Sequence, residues 1–327
     1  MTSGARRKTT KQEDDVTYIQ RVLCTMMMLG FLGGAGLGIM ATLEPMDRGQ
    51  QMRWRIVYGI LITGSLIGIV RINRPRSSRQ EKRAMTTKNG KVVLITGANK
   101  GLGKEIGRQL GVLGYTVVLT ARDEQAGRAA AAELVAAGCD AYTVRIEVTN
   151  PDDIGSLASI LETTFGKLDV LVNNAGISIE WDGKPTDADK VRRTLEVNLI
   201  APYAITEALV PLLSRSADAR VINHSSMLGS IGTAESMWNQ VGSFMAVGYS
   251  TSKAGLNMLT MIHSKTLANK GIAVAAAHPG WVKTDLGTQA APMEVDEGAS
   301  TVVDLVTIAR EKFPNGQLWH KGERMPW

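Results

Sequence analysis

The segment Thr96-Gly97-Ala98-Asn99-Lys100-Gly101-Leu102-Gly103 constrains this chain more than any other feature, because it joins an apolar run at 92–96 to a helical stretch at 102–113. A glycine turn in that context is a βα connection whose helix N-terminus can receive a phosphate on bare backbone amides. Gly97 permits the tight exit from the strand, Gly101 lets backbone approach a pyrophosphate, and Gly103 lets the helix pack close to the sheet. The alternation then repeats. Strands are predicted over 116–121, 141–146, 168–172, 220–223 and 272–277, with helical stretches between them, including the alanine-rich 125–137. Mostly non-alternating apolar strands separated by helices require a parallel sheet covered on both faces. The expected fold is therefore α/β, a Rossmann-type doubly wound parallel sheet, occupying 91–327 as one domain with no internal repeat.

The first ninety residues have a different composition. Residues 1–91 carry 16 Lys/Arg against 6 Asp/Glu, and the remainder 21 against 25, so a basic leader precedes an acidic domain. This asymmetry argues against nucleic acid as the partner of the second part and points the leader toward a lipid bilayer. After a polar segment at 1–21, residues 22–43 run without a charge, and at ~1.5 Å per residue they span roughly 33 Å. A second uncharged run, 56–70, reaches only about 22 Å and needs Arg53, Trp54, Arg55 and Arg71 at the interface. The two form a predicted transmembrane helical hairpin, with small-xxx-small spacing at Gly30, Gly34 and Gly38 and at Gly64 and Gly68. A basic linker, 71–90, follows and retains the domain after it on the cytoplasmic or equivalent side, for example stromal. Glu13, Asp14 and Asp15, with no small-residue cleavage site, favour an uncleaved anchor over a processed leader. Cys24 and Cys139 have no metal-ligand spacing, so neither a metal site nor a disulfide framework is expected.

Several residues carry chemistry at the predicted C-terminal edge of the sheet, where open α/β sheets bind ligands. The second strand ends Thr120-Ala121-Arg122, where a carboxylate would hold ribose hydroxyls. Arg122 can meet a 2′-phosphate bidentately and Lys100 adds a second positive charge, so NADP(H) is expected over NAD(H). Tyr249 and Lys253 lie one helical turn apart, and an ammonium there would lower the phenol pKa from its usual value of about 10. Ser225 and Ser226 place hydroxyls after a strand, Asn198 interrupts an apolar helical stretch, and Asn173-Asn174-Ala175-Gly176 ends another strand. His224 and His278 are read as satisfied core groups outside the chemistry.

Together these residues identify a resemblance to the short-chain dehydrogenase/reductase family over about 92–327. The resemblance implies a catalytic tetrad of Asn198, Ser226, Tyr249 and Lys253, and Ser226 is preferred to Ser225 because Met227-Leu228-Gly229 follows it. It implies cofactor contacts from Gly97, Asn99, Lys100, Gly101, Leu102, Gly103, Arg122, Asn174, Ala175, Gly176, Tyr249 and Lys253, and from Pro279, Gly280, Val282 and Thr284 in a nicotinamide-side loop. Within the family the chain is most similar to NADPH-dependent carbonyl reductases, and next to retinol dehydrogenases. His224 stands where a small apolar residue is usual, and Glu147-Val148 where Asp-Val usually meets adenine. Ser226 and Tyr249 are separated by 22 residues, including Met237, Trp238, Phe244 and Met245, read as an apolar wall beside the substrate.

The resulting expectation is a membrane-anchored, NADPH-dependent reductase of an apolar ketone or aldehyde, with Trp181, Trp238 and Trp281 at the mouth. Retinol- or steroid-type alcohol oxidation is the same chemistry reversed. A non-catalytic nucleotide-binding subunit of a membrane assembly is the reading from another class. A homodimer is expected by analogy alone.

Overall fold

The computed structural model describes residues 89–241 and 246–327. The runs at 22–43 and 56–70, and all but the last two residues of the 71–90 linker, lie outside them, as do Phe244 and Met245.

Among the described residues, eight strands form one sheet in the order β3-β2-β1-β4-β5-β6-β7-β8. In chain order these are β1 (Val92–Ile95), β2 (Thr116–Ala121), β3 (Asp140–Arg145), β4 (Val170–Asn173), β5 (Ala219–His224), β6 (Ile272–Ala277), β7 (Leu318–His320) and β8 (Glu323–Met325). All neighbouring pairs are parallel except β7 with β8. The expected doubly wound sheet is present, and its antiparallel edge hairpin is a feature the sequence reading did not include. Three-residue strands offer no periodicity to read, so β7 and β8 take their extended conformation from pairing beside β6.

The helices are α1 (Gly101–Val112), α2 (Glu124–Ala136), α3 (Pro151–Phe165), α4 (Ala188–Leu195), α5 (Ala201–Leu213), α6 (Ala234–Val241), α7 (Val247–Thr266) and α8 (Val295–Thr307). Successive side chains of a strand point to opposite faces. Val93 and Ile95 accordingly join a core with Ile106 and Leu110 of α1 and Val302 and Leu305 of α8. Val92 and Leu94 join the opposite one with Leu157 and Leu161 of α3 and Leu209 and Leu213 of α5. Burial on both faces explains why β1 and β6 read as continuous apolar runs.

Strand order reverses between β1 and β4, which leaves a crevice at their carboxyl ends. One helical run among the described residues, Ala188–Leu213, is long and apolar enough to cross a membrane. Its apolar residues Ile205, Leu209, Leu212 and Leu213 are buried against the sheet, which accounts for the composition.

Candidate active site

The crevice is built first from the glycine turn. Thr96 closes β1 by donating its N–H to the Val172 carbonyl at 3.0 Å, after which Gly97 turns the chain with φ +60°. A Cβ at Gly103 would stand 2.5 Å from Asn174 Nδ2 and 2.9 Å from Ala98 Cα, so only glycine lets α1 approach this closely. Lys100 at the N-cap of α1 makes no side-chain cap, and the first turn contains no acidic residue. Helix amides without an acceptor, combined with the positive end of the helix dipole, suit an anion. Gly101 and Leu102 begin this helix and Asn99 is half-buried just before it.

The loop after β6 closes over the same turn. Thr284 places its methyl 3.6 Å from where a Gly101 Cβ would be. Lys100 Nζ meets Asp285 Oδ2 at 2.5 Å, with both side chains exposed. Val282 is buried against Gly298, beside Leu102, while Pro279 and Gly280 are half-buried. Thr284 Oγ1 accepts the Gly287 N–H at 3.0 Å, and Trp281 Nε1 donates to the Gly287 carbonyl at 2.7 Å.

At the end of β2, Arg122 extends into solvent with its side chain 80% exposed, 3.8 Å from Glu147. Asp123 is engaged locally, accepting the Ala126 N–H at 3.0 Å as the N-cap of α2. Arg122 is thus the group left to face a ligand here. Lys100, expected as a second such charge, is already paired, though an exposed pair of this kind holds it weakly.

Asn174 has a different task from the one its motif suggested. Its Nδ2 donates to the carbonyls of Thr96 at 2.8 Å and Gly97 at 3.1 Å, and its Oδ1 meets His224 Nδ1 at 2.9 Å. The side chain therefore clamps the ends of β1, β4 and β5 together instead of pointing at a ligand. Ala175 donates its N–H to Thr96 Oγ1 at 3.0 Å, and Gly176 is exposed beside Asn198 and Lys253. Since Asn174 Nδ2 donates, its Oδ1 must accept, and His224 carries its proton on Nδ1. Burial, then the nearby Lys253 and His278, push His224 down to about 3, so it is neutral. His278 is likewise pushed down to about 3 by burial and His320, and its Nδ1 accepts the Met227 N–H at 3.4 Å. Both histidines are buried, but the expectation of satisfied groups does not hold for His224, whose Nε2 is buried without a partner.

The other three expected residues converge on α7 and β5. Ser226 follows β5 and accepts the Leu228 N–H on its Oγ at 3.1 Å. That leaves its own proton free toward Tyr249, whose pKa Ser226 draws down. Tyr249 and Lys253 lie on the buried face of α7, with Lys253 Nζ 5.5 Å from the phenol ring centre. The electrostatics differ from the sequence expectation. Burial pushes Tyr249 up to about 12, and the opposing pull comes from Ser226; burial also lowers Lys253 to about 8. The ammonium donates to the His224 carbonyl at 2.7 Å. An amine one turn along a helix falls beside the ring, and β5 supplies a nearer acceptor.

Asn198 occupies a π turn, Glu196–Ile200, between α4 and α5 and is fully buried. Such turns are rare and gather at functional sites. Its side chain pairs with the backbone of Ile177, donating to the carbonyl and accepting the N–H, both at 2.8 Å, and also donates to Ser252 Oγ at 3.1 Å.

Of the three tryptophans, Trp181 stands against Tyr249, with ring centres 5.3 Å apart. Trp238 on α6 is 62% exposed, and Trp281 is turned to the 284–287 loop. The stretch between Ser226 and Tyr249 forms two short 3₁₀ turns and α6, with Met237 buried and Trp238 outward.

One residue of the site went unrecognised in the sequence. Glu180, buried in the loop after β4, accepts the N–H groups of Gly248 at 2.9 Å and Tyr249 at 2.8 Å. Nothing in its local sequence signals a contact 69 residues away.

Comparisons with known proteins bear on the fold and the family. The family described as short chain dehydrogenase matches residues 91–295. The (+)-neomenthol dehydrogenase of Arabidopsis thaliana is 31% identical over 71% of this chain and 96% of its own length. Carbonyl reductase [NADPH] 3 of Rattus norvegicus is 34% identical over 70% of this chain and 95% of its own. Among solved structures, the NADPH-bound carbonyl reductase from chicken fatty liver superposes with a TM-score of 0.65 at 30% identity, covering 72% of this chain and 99% of that one.

Proposed function

The chain belongs to the short chain dehydrogenase family, and from that membership we propose that it is an NADPH-dependent carbonyl reductase acting on apolar ketones or aldehydes. The observation that carries the reading is the convergence of Ser226, Tyr249 and Lys253, with Trp181 against the phenol. When bound, NADPH supplies the hydride that reduces the carbonyl carbon. The uncapped N-terminus of α1 would hold its pyrophosphate, Arg122 its 2′-phosphate, and the loop from Pro279 to Thr284 its nicotinamide side. The relative named carbonyl reductase [NADPH] 3 and the NADPH-bound structural neighbour support this choice of cofactor.

Ser226 and Tyr249 would both donate to the substrate carbonyl oxygen, stabilising charge as it develops there. Tyr249 would then transfer its proton, and the Lys253 ammonium would ease that loss by placing a positive charge beside the phenolate. Both Nδ2 protons of Asn198 are engaged, so a water link from Lys253 to solvent would use the remaining lone pair of its Oδ1 or backbone groups of its π turn. The (+)-neomenthol dehydrogenase relative supports a hydrophobic substrate and favours oxidation of an alcohol as the second direction of the same chemistry.

The reading includes a bilayer anchor through 22–43 and 56–70, with the catalytic domain on the cytoplasmic or stromal side; its support is the uncharged runs and the basic segment after them. Homodimerisation stands on analogy. Full-length protein should oxidise NADPH with hydrophobic carbonyls and stay with membranes in alkaline wash, while Tyr249→Phe should be inactive. Turnover restricted to NADH or to charged sugars would overturn the catalytic reading, and release by the wash would overturn the anchor.

A further inference from the structure

Helix α7 begins without a cap of its own. Ala246 at its N-cap position has no side-chain acceptor, and the first turn has no acidic residue. The first turn of any helix leaves backbone N–H groups without intrahelical partners. Here two of them, on Gly248 and Tyr249, donate to the two carboxylate oxygens of Glu180 at 2.9 and 2.8 Å, the oxygens taking one amide each. The carboxylate is buried, and a negative group is favoured at this end of the helix dipole. It comes from a remote loop, and one of its partners is the N–H of Tyr249 itself.

A second observation concerns the same tyrosine. Trp181, adjacent to Glu180, packs its ring 5.3 Å from the phenol ring at 48°. Two consecutive residues thus hold the tyrosine at its backbone and at its ring. Gly248 belongs to the same arrangement: a Cβ there would lie 2.9 Å from Glu180 Oε2 and 3.1 Å from Val191 Cα.

We propose that Glu180 is a positioning residue of this enzyme, a carboxylate clamp that sets the first turn of α7 and so aims the Tyr249 hydroxyl at the reacting carbonyl. This rests on the reductase reading. Proton transfer requires the donor within hydrogen-bond reach of its acceptor. A tyrosine three places into a helix moves when the first turn frays, whereas Lys253, a turn deeper, stays anchored to the His224 carbonyl at 2.7 Å. Losing the clamp would therefore separate the phenol from the serine and lysine while leaving the nucleotide crevice, on other elements, intact.

The test compares wild type with Glu180→Ala, Glu180→Gln and Gly248→Ala, measuring steady-state NADPH oxidation and residue-resolved amide hydrogen exchange. Glu180→Ala should lower kcat at least tenfold, with KM for NADPH within twofold of wild type. Glu180→Gln keeps one acceptor oxygen but turns an NH2 toward the other amide, so its kcat should fall between. Gly248→Ala, which displaces the carboxylate without removing it, should show the same pattern more weakly. Exchange should quicken at Gly248 and Tyr249 but not at Val221 and Ile222 in β5. Wild-type kcat in Glu180→Ala, or unchanged exchange at the two amides, would overturn the proposal. So would a rise in KM parallel to the fall in kcat with β5 exchanging faster, which is general loosening. If wild type itself oxidises no NADPH, the functional reading fails separately, and quickened or unchanged exchange at Gly248 and Tyr249 alone supports or overturns the clamp.

Discussion

Lys253 donates its ammonium to the backbone carbonyl of His224 at 2.7 Å, and the same nitrogen stands 5.5 Å from the centre of the Tyr249 ring. The charge is therefore held in place by β5 while it acts on a phenol carried by its own helix. Burial lowers this amine to about 8, so its charged form dominates below that pH and is lost above it. Tyr249, pushed up to about 12, keeps its proton throughout the assay range. NADPH-dependent reduction should accordingly fall as pH rises through about 8, a limb that belongs to Lys253. A pH profile of kcat/KM checks it, and Lys253→Met should lose both the limb and roughly 10²–10⁴-fold of the rate.

Arg122 has its side chain 80% exposed with a distant partner in Glu147, whereas Lys100 is closely paired with Asp285. A charged hydrogen bond is worth about 1.5–3 kcal/mol, or roughly 10–150-fold in affinity. Arg122→Ala should raise Kd for NADPH by that factor and leave Kd for NADH nearly unchanged. Lys100→Ala should have a smaller effect. Titration of both cofactors by fluorescence measures the two.

Replacing Asn174 by alanine should reduce stability by roughly 2–4 kcal/mol, because each buried polar group left without its partner is costly. The groups are the carbonyls of Thr96 and Gly97 and Nδ1 of His224. Thermal denaturation should show a Tm lower by several degrees, even if the variant still binds nucleotide.

Acid should destabilise the protein through its buried imidazoles. His224 and His278 titrate at about 3 in the fold, below their ordinary value of 6.5. The unfolded chain therefore binds more protons in this window, and stability present above pH 6.5 is lost as pH falls toward 3. Thermal denaturation between pH 7 and 4 should trace that loss, and His278→Gln should flatten the slope.

Trp181 touches the phenol and Trp238 faces solvent. Trp181→Ala should raise KM for hydrophobic carbonyls about tenfold or more, consistent with roughly 1.5–3 kcal/mol for burying a large apolar side chain. Trp238→Ala should change it little. Substrate titration with a series of increasingly apolar ketones separates these outcomes.

The sheet, the glycine turn and the positions of Ser226, Tyr249 and Lys253 were readable from the chain alone. Strand burial, helix spacing and glycine conformational freedom are local properties that leave a periodic or compositional trace. The bounds of β2 and β6 follow their apolar runs, while β1 ends one residue earlier than expected because Gly97, with φ +60°, turns the chain directly after Thr96. Which polar side chain meets which was decided only by tertiary structure. Asn174 reads as a ligand contact until β1 and β5 are beside it and absorb its hydrogen bonds. Lys253 reads as the partner of Tyr249 until the His224 carbonyl proves nearer, and Glu180 reads as a loop acid until the start of α7 arrives. Donors and acceptors are satisfied by whatever the fold brings within about 3 Å, and that proximity spans dozens of residues no local pattern records.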